Sequence, residues 1–484
     1  MANSPTACST LTALLVRRRR CAQGSGARGV VAALLVAAGL GVVGLGVVGV
    51  GGCGPRRDLA PALSGGVVEP MSVRGNYVAT AVRSERGARA ITVIGLPIAE
   101  ADASAPEWKT RFAQIELGSA GGAAGMGLGA SGVCASADGS VMFAICGQEA
   151  TEGGGGAGEG VVVIDMRDPM RPGRGAVSFL GCAPKSIACT GDGATVAAAC
   201  EQAGAEIALA SVGGGENGKV ATWSLKDLGF GAGATADGMA FHPSGKFLAV
   251  LSGGSREVKF LEVGSEDGEP ALKARGMAVR NAEAAMMPSF GKFTEDGKYF
   301  VAVSVSGASG GLAGAEAGMV TIIRFDARSV EERESSEPTE PAHTRVGYMP
   351  VGIAPTGLAL SRDGSEIYVS SARGGKDGGG LISMIKFQPA ATDEGLQMVR
   401  TLQSVAGLVT GIALDEEAGV LIASVIAGDS PRQNEGELFF YRVTRVSGRA
   451  ERDAEGAANG ATILERAGFR VGVGKSPAGA VLMR

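Results

Sequence analysis

Few side chains in this chain can do chemistry. Only two His occur in 484 residues, His242 and His343. His242 precedes a turn in Phe241-His242-Pro243-Ser244-Gly245 and His343 falls in an expected outer strand, so both read as structural and neither as part of a metal site or proton relay. Three lysines stand out. Lys292 interrupts the run Phe290-Gly291-Lys292-Phe293, where sister segments carry Ala. A buried, unpaired ammonium costs several kcal/mol or loses its proton, so Lys292 is expected to reach solvent at the mouth of a channel. Lys185 follows Pro184 and Lys475 follows Gly474 at the starts of strands, where two ammoniums near an axis would attract an anion. Lys185, Lys292 and Lys475 are the ligand-binding candidates; no catalytic residue, metal site or cofactor is assigned.

Cysteine arithmetic adds a second set of candidates. Of eight Cys, five follow Cys53: Cys134, Cys146, Cys182, Cys189 and Cys200. An odd number cannot pair fully within one exported chain. Cys146 and Cys200 end equivalent strands and Cys182 lies on the connection between them, which leaves open a bridge from Cys182 to Cys200 or to Cys146. Cys134 and Cys189 read as small buried hydrophobes. No Cys-Xaa-Xaa-Cys, haem-attachment or zinc spacing is present. Gly472-Val473-Gly474-Lys475-Ser476 resembles the tail of a phosphate loop, but Phe469 stands where the first Gly is required and the segment leads into a strand. Glu149, Glu152, Glu159, Asp377, Asp429 and Glu435 fall in loops without calcium-ligand spacing and read as solvated.

These residues must be positioned by a framework, and composition narrows it. Gly accounts for 80 residues, hydrophobic residues for 45% and charged residues for 19%, enough apolar surface for a large core. The first 52 residues hold five Arg (Arg17, Arg18, Arg19, Arg20, Arg28), no acid, and an apolar run from Gly29 to Val50. Such an order is that of an export signal. Val50-Gly51-Gly52-Cys53 resembles the lipobox of bacterial lipoproteins, which implies cleavage before Cys53 and its lipidation; an uncleaved signal anchor is the alternative. Residues 53–68 then form a tether, and 69–484 the folded part. Beyond residue 52 remain 40 of the 45 basic residues and all 49 acidic ones, a balance that argues against nucleic acid as partner.

A hairpin repeats along the rest of the chain. Pro355-Thr356-Gly357-Leu-Ala-Leu360-Ser-Arg-Asp363-Gly364-Ser-Glu-Ile367-Tyr-Val-Ser370 reads as strand, Asp-Gly turn and returning strand. Related turns place Gly at 139, 193, 245, 297, 364 and 419. Two further strand-like runs separate successive copies. Four short strands recurring at a period of roughly 50 residues predict the blades of a β-propeller. Ser476-Pro477-Ala478-Gly479-Ala480-Val481-Leu482 matches an inner strand without its turn, and Arg74-Gly75-Asn76-Tyr77-Val78 matches a turn without its inner strand. The fold class expected is therefore all-β: a seven-bladed propeller closed by pairing of the C-terminal strand with the N-terminal hairpin, which removes an open sheet edge.

The Pro-Xaa-Gly start, Asp-Gly turn and Ile367-Tyr368-Val369-Ser370 of residues 355–370 resemble the YVTN repeat of bacterial surface and periplasmic propellers, a group related to lactonase-type propellers. The resemblance implies a fold and an axial cleft rather than a chemistry. The function expected is that of an exported, lipid-anchored, monomeric scaffold on the periplasmic or cell-surface face of a bacterial membrane, binding an envelope protein or a small anionic ligand. A lactonase-like hydrolase using the axial cleft is the alternative, and a structural envelope component without a small ligand a further one.

Overall fold

The computed structural model describes residues 77–83, 89–95, 112–118, 132–146, 160–168, 171–178, 184–200, 204, 206–212, 219–266, 269–274, 278–280, 286–306, 317–327, 343–388, 397–426, 435–445 and 462–483. The export segment, Cys53, the tether and the charged insert at 328–338 lie outside them.

A small hydrogen-bonded turn recurs and sets the hairpins. The hydroxyls of Ser136, Thr190, Thr294 and Ser361 each donate to the Asp two positions on, Asp138, Asp192, Asp296 and Asp363, at 2.6 Å. Each Asp accepts the backbone N–H two positions further, from Ser140, Ala194, Lys298 and Ser365. The residue between must turn left-handed, and Gly139, Gly193, Gly297 and Gly364 do so at φ of 68°, 68°, 70° and 71°, a region that costs other residues about 1–2 kcal/mol. The Ser136 and Thr190 hydroxyls hold the carboxyls of Asp138 and Asp192 below the usual range. His242 and Ser244 keep the same turn with the roles exchanged: Nδ1 of His242 accepts the Ser244 N–H at 3.1 Å.

Strands joined by these turns form antiparallel meanders in chain order. Among the described residues, one four-stranded sheet spans 133–178, another 184–223, and a five-stranded one 238–280. A seven-stranded sheet runs from Met286–Phe293 to Gln397–Val405, and a second from Leu408–Asp415 through Thr462–Met483 to Tyr77–Arg83, Arg89–Gly95 and Phe112–Gly118. In the last sheet Val78 stands opposite Leu482 and Ala79 opposite Val481, so the end of the chain does pair with the first hairpin. The expectation of uniformly short strands is corrected. Thr344–Leu360 and Thr462–Met483 are continuous strands of 17 and 22 residues, each serving as last strand of one hairpin pair and first strand of the next. The turn is absorbed within the first by Ala354 at φ 50°.

Second strands lie between neighbouring sheets and are apolar on both faces, which is why they read as unbroken hydrophobic runs. In Thr195–Cys200, Val196, Ala198 and Cys200 pack with Phe143 and Val161 of the preceding sheet, while Ala197 and Ala199 pack with Leu248 and Val250 of the next. In Phe247–Ser252 the same alternation sends Leu248 and Val250 back and Phe247, Ala249 and Leu251 forward, against Phe293 and Phe300. Burying each large side chain contributes about 1.5–3 kcal/mol. First strands touch in succession: 133–135 meets 184–189, then 238–241, 286–293, 344–360, 408–415 and 462–483, which returns to 133–135. Crowding there explains the glycines. A Cβ on Gly238 would lie 2.1 Å from the Ser289 carbonyl, and one on Gly357 3.1 Å from the Gly411 Cα.

Replacing Gly297 by Ala combines a left-handed φ of 70° with a Cβ 2.1 Å from His242 Nε2. Urea unfolding should show a loss of about 2 kcal/mol or more for this variant. An unchanged midpoint would contradict the account of the turn.

Candidate functional site

First strands have two ends, and the structure places the lysine candidates at opposite ones. At the starts of these strands, one extra residue bulges out of register between Pro184 and Ser186, Pro288 and Phe290, Pro355 and Gly357, and Val409 and Gly411. The bulged residues are Lys185, Ser289, Thr356 and Thr410. Thr356 Oγ1 bonds the Val409 carbonyl of the following hairpin at 3.0 Å and the Ser370 hydroxyl at 2.9 Å; Thr410 repeats the second contact with Ser424 at 3.0 Å. Lys185 instead extends Nζ to Asp237 Oδ1 at 2.9 Å, and both side chains are a little over a quarter exposed, 28% and 29%. The other oxygen of Asp237 accepts from Thr235 Oγ1 and the Gly253 N–H, each at 2.6 Å. Lys185 thus ties two adjacent sheets together, with its charge balanced.

Asp237 was not singled out from sequence, although the signal exists. It lies one repeat period after Lys185, a separation of 52 positions, so opposite charges occupy equivalent places in successive hairpins and meet across the seam. Lys475 lies within Thr462–Met483, at the register of Arg83 on one side and Glu435 on the other; its side chain is outside the description. The phosphate-loop-like string around it is extended strand and offers no helix N-terminus for a phosphate.

Lys292 belongs to the opposite end, where first strands run into their turns. A cavity of about 350 Å³ opens there among the strand ends of three sheets. Aliphatic side chains line it, among them Ala135, Leu358 and Ile412, but the surface it presents is more polar than apolar, with Ser136, Lys292, Glu295, Arg362 and Glu416 in the lining. Three of the four charged groups are engaged. The Arg362 guanidinium pairs with Glu295 at 3.2 Å and Glu417 at 3.4 Å, and its backbone N–H donates to Glu416 Oε2 at 2.6 Å. Lys292 makes no hydrogen bond or ion pair among the described residues. Its side chain is solvent-exposed at the edge of the cavity, while desolvation by the strand ends around it lowers its pKa, opposed by the charge of Glu295. Lys292 is exposed at the turn end of its strand, away from Lys185.

Neither His stands in either place. His242 and His343 join Phe247, Phe260, Phe293 and Phe325 in one aromatic cluster between the 238–280 and 286–405 sheets, with His343 stacked on Phe325 at 5.0 Å. Burial pushes the His242 pKa down, against a hydrogen bond to the Gly297 carbonyl. Cys200 is disulfide-bonded; Cys182 and the Cys146 side chain lie outside the description, so its partner is not assigned. Cys134 and Cys189 are free and half-buried. No three His, Cys, Asp or Glu gather as metal ligands among the described residues.

No family model matches the chain, and no curated protein matches it significantly. Solved structures do. A Bacteroides uniformis protein provisionally assigned as a 6-phosphogluconolactonase is similar over 84% of this chain and 100% of its own, at 15% identity and a TM-score of 0.53. The fold is that of a β-propeller. The periplasmic gluconolactonase of Pseudomonas aeruginosa is similar over 84% of this chain and 99% of its own, at 15% identity and a TM-score of 0.51. A Lactobacillus plantarum protein covers 85% of this chain and 100% of its own, at 14% identity and a TM-score of 0.53. At such identities the likeness is one of fold.

His242 is half-buried, and its lowered pKa makes it resist the proton that an unfolded chain accepts near pH 6.5. With the folded pKa depressed, the unfolded state binds more protons below that pH, so stability falls as pH drops from 7 towards 5. The loss is at most about 1.4 kcal/mol per pH unit for one proton. Chemical unfolding across this range should show a shallower pH slope for His242→Gln than for the wild type.

Proposed function

We propose that this protein is an exported lactonase-like hydrolase built on a closed ring of seven blades. Each seven-stranded sheet is taken as two blades sharing a long strand, and the 462–483 strand, paired with residues 77–83, as the clasp. Support comes from the succession of first-strand contacts that returns to its starting point and from the strand pairing of Val78 with Leu482. The names of the similar structures favour this reading over an envelope scaffold.

The observation that carries the chemistry is one amine, unpaired among the described residues, at a polar-lined cavity of about 350 Å³, room for a sugar-sized lactone. Lys292, with its pKa lowered, has a neutral fraction able to act as general base. In the step proposed, water adds to the lactone carbonyl while Lys292 takes its proton. The ring C–O bond then breaks and the departing alkoxide takes the proton back, leaving a hydroxy acid. Arg362 and Glu416 at the rim are held by their own pairs and shape the opening.

D-glucono-1,5-lactone is the probe for this activity. Hydrolysis above the spontaneous rate should rise with pH as Lys292 deprotonates, and Lys292→Met should lower kcat by about 100-fold or more. A wild-type rate no faster than buffer would remove the hydrolase reading. Export and lipidation at Cys53 are part of the proposal, supported by the basic, apolar and small-residue order of residues 1–53. Mass measurement of membrane-extracted protein should give an acylated N-terminal Cys53, and an intact Met1 would refute the lipid anchor.

A further inference from the structure

Two cysteines that the hydrolase reading does not use meet between adjacent sheets. Cys134 stands two positions before the turn hydroxyl of Ser136, and Cys189 one position before that of Thr190. They lie on successive first strands, Val133–Ala135 and Pro184–Cys189, which touch. Side chains alternate along a strand, so an offset of one position turns the two residues to opposite faces of their own sheets. Cys134 therefore points forward and Cys189 back, into one shared layer. Both pack there with Phe143, Ile187 and Val196, while their neighbours Ala135 and Ala188 belong to the layers on the far sides. Within the shared layer the two thiols are in hydrogen-bond contact.

The strand ends are clamped just beyond this contact. The Ala137 N–H donates to the Gly191 carbonyl at 2.8 Å, and a Cβ on Gly193 would lie 3.3 Å from the Ser136 Cβ. With the backbones held, a bond between sulfurs already in contact calls for side-chain rotation rather than strand movement. Both cysteines are only half-buried, so a small reagent can reach them. Sulfur is not required there by the repeat: Ala188 occupies the place of Cys134 in the next hairpin, and Ala135 that of Cys189 in the hairpin before. Elsewhere in the same layer Cys200 is disulfide-bonded, a state that persists in oxidising surroundings.

We propose that Cys134 and Cys189 are a dithiol that a disulfide-bearing oxidant converts to a disulfide, stapling the 133–178 sheet to the 184–223 sheet. Cys189 opens the exchange, because burial and the neighbouring thiol raise the pKa of Cys134 and disfavour its thiolate. The deprotonated Cys189 sulfur attacks one sulfur of the oxidant, whose S–S bond breaks as its other half leaves as a thiolate. Cys134 then gives up its proton, attacks the Cys189 sulfur of the mixed disulfide and expels the second half. The two protein thiols lose two electrons, the oxidant gains them, and the two protons end on the departing thiols. The proposal is independent of the hydrolase reading.

The test is oxidation of the full chain with millimolar oxidised glutathione. Remaining thiols are blocked with N-ethylmaleimide in denaturant, and the protein is digested without reductant by trypsin and Asp-N. Cleavage after Arg111 and Lys185 and before Asp138 and Asp192 puts each cysteine on a peptide of its own, residues 112–137 and 186–191. The two peptides should be recovered joined, in about tenfold excess over the same peptides carrying glutathione, because the second thiol lies against the first. Dithiothreitol should separate them. Cys134→Ala, which installs the residue of the next hairpin, should leave Cys189 as a lasting glutathione adduct, and Cys189→Ala should slow the modification of Cys134. Maleimide or glutathione on both cysteines without a joined peptide overturns the proposal. So does the recovery of either cysteine joined to Cys146, Cys182 or Cys200 instead.

Discussion

The structure depends on a contact repeated between successive hairpins, in which the turn glycine of one sits on the hydroxyl-bearing residue, or in one case the histidine, of the one before. A Cβ on Gly193 would meet Ser136 at 3.3 Å, one on Gly245 Thr190 at 3.6 Å, one on Gly297 His242 at 2.1 Å, and one on Gly364 Thr294 at 2.6 Å. The Ser or Thr in question is already fixed by its own Asp, so each turn is both built by its sequence and seated on its predecessor. That contact sets the rotation from one sheet to the next. Errors in it would accumulate along the succession of sheets, and at Gly297 and Gly364 a Cβ could not be added without moving the residue beneath.

With the spacing fixed in this way, the interior becomes a series of flat layers. Each second strand is shared by two layers, and alternate residues face opposite neighbours. Small residues such as Ala197 and Ala199 oppose larger Leu248 and Leu261, so layers interdigitate at ordinary packing density. Between the 238–280 and 286–405 sheets the filling is aromatic, and both histidines are drawn into it. A chain with two His thus uses both for packing, and the amine left facing the cavity without a partner among the described residues is a group whose pKa the fold has moved.

Lys292 is such a group. In most hairpins the corresponding inner-strand residue is small, and Ala359 and Ala413 line the same cavity. One long side chain in place of a methyl sets a single amine beside a cavity lined by Ala, Leu and Ile together with Ser136, Glu295, Arg362 and Glu416. Lys185 shows the opposite solution at the other end of the strands, where an Asp one period away neutralises it. The same residue type is therefore ion-paired in one place and without an ion pair among the described residues in the other.

Much of the fold was legible because its signals are local. The Asp-Gly turns, the alternation along strands and the regular return of the hairpin are properties of short segments, and even the pairing of the last strand with the first hairpin followed from two half-repeats. The departure of Ser244 from the Asp pattern did not mislead, since a hydroxyl accepts the same N–H. Continuous strands at 344–360 and 462–483 were not legible, because nothing in composition distinguishes a bend absorbed at Ala354 from a break between strands. The site was legible only in part. Sequence marked Lys292 and Lys185 as unusual, but grouped them with Lys475 as similar candidates. Sequence by itself determined the repeat, the turn and the list of polar residues out of place. Only the tertiary structure decided which of those residues is paired, because a partner one full repeat away is remote along the chain and yet a hydrogen bond distant in space.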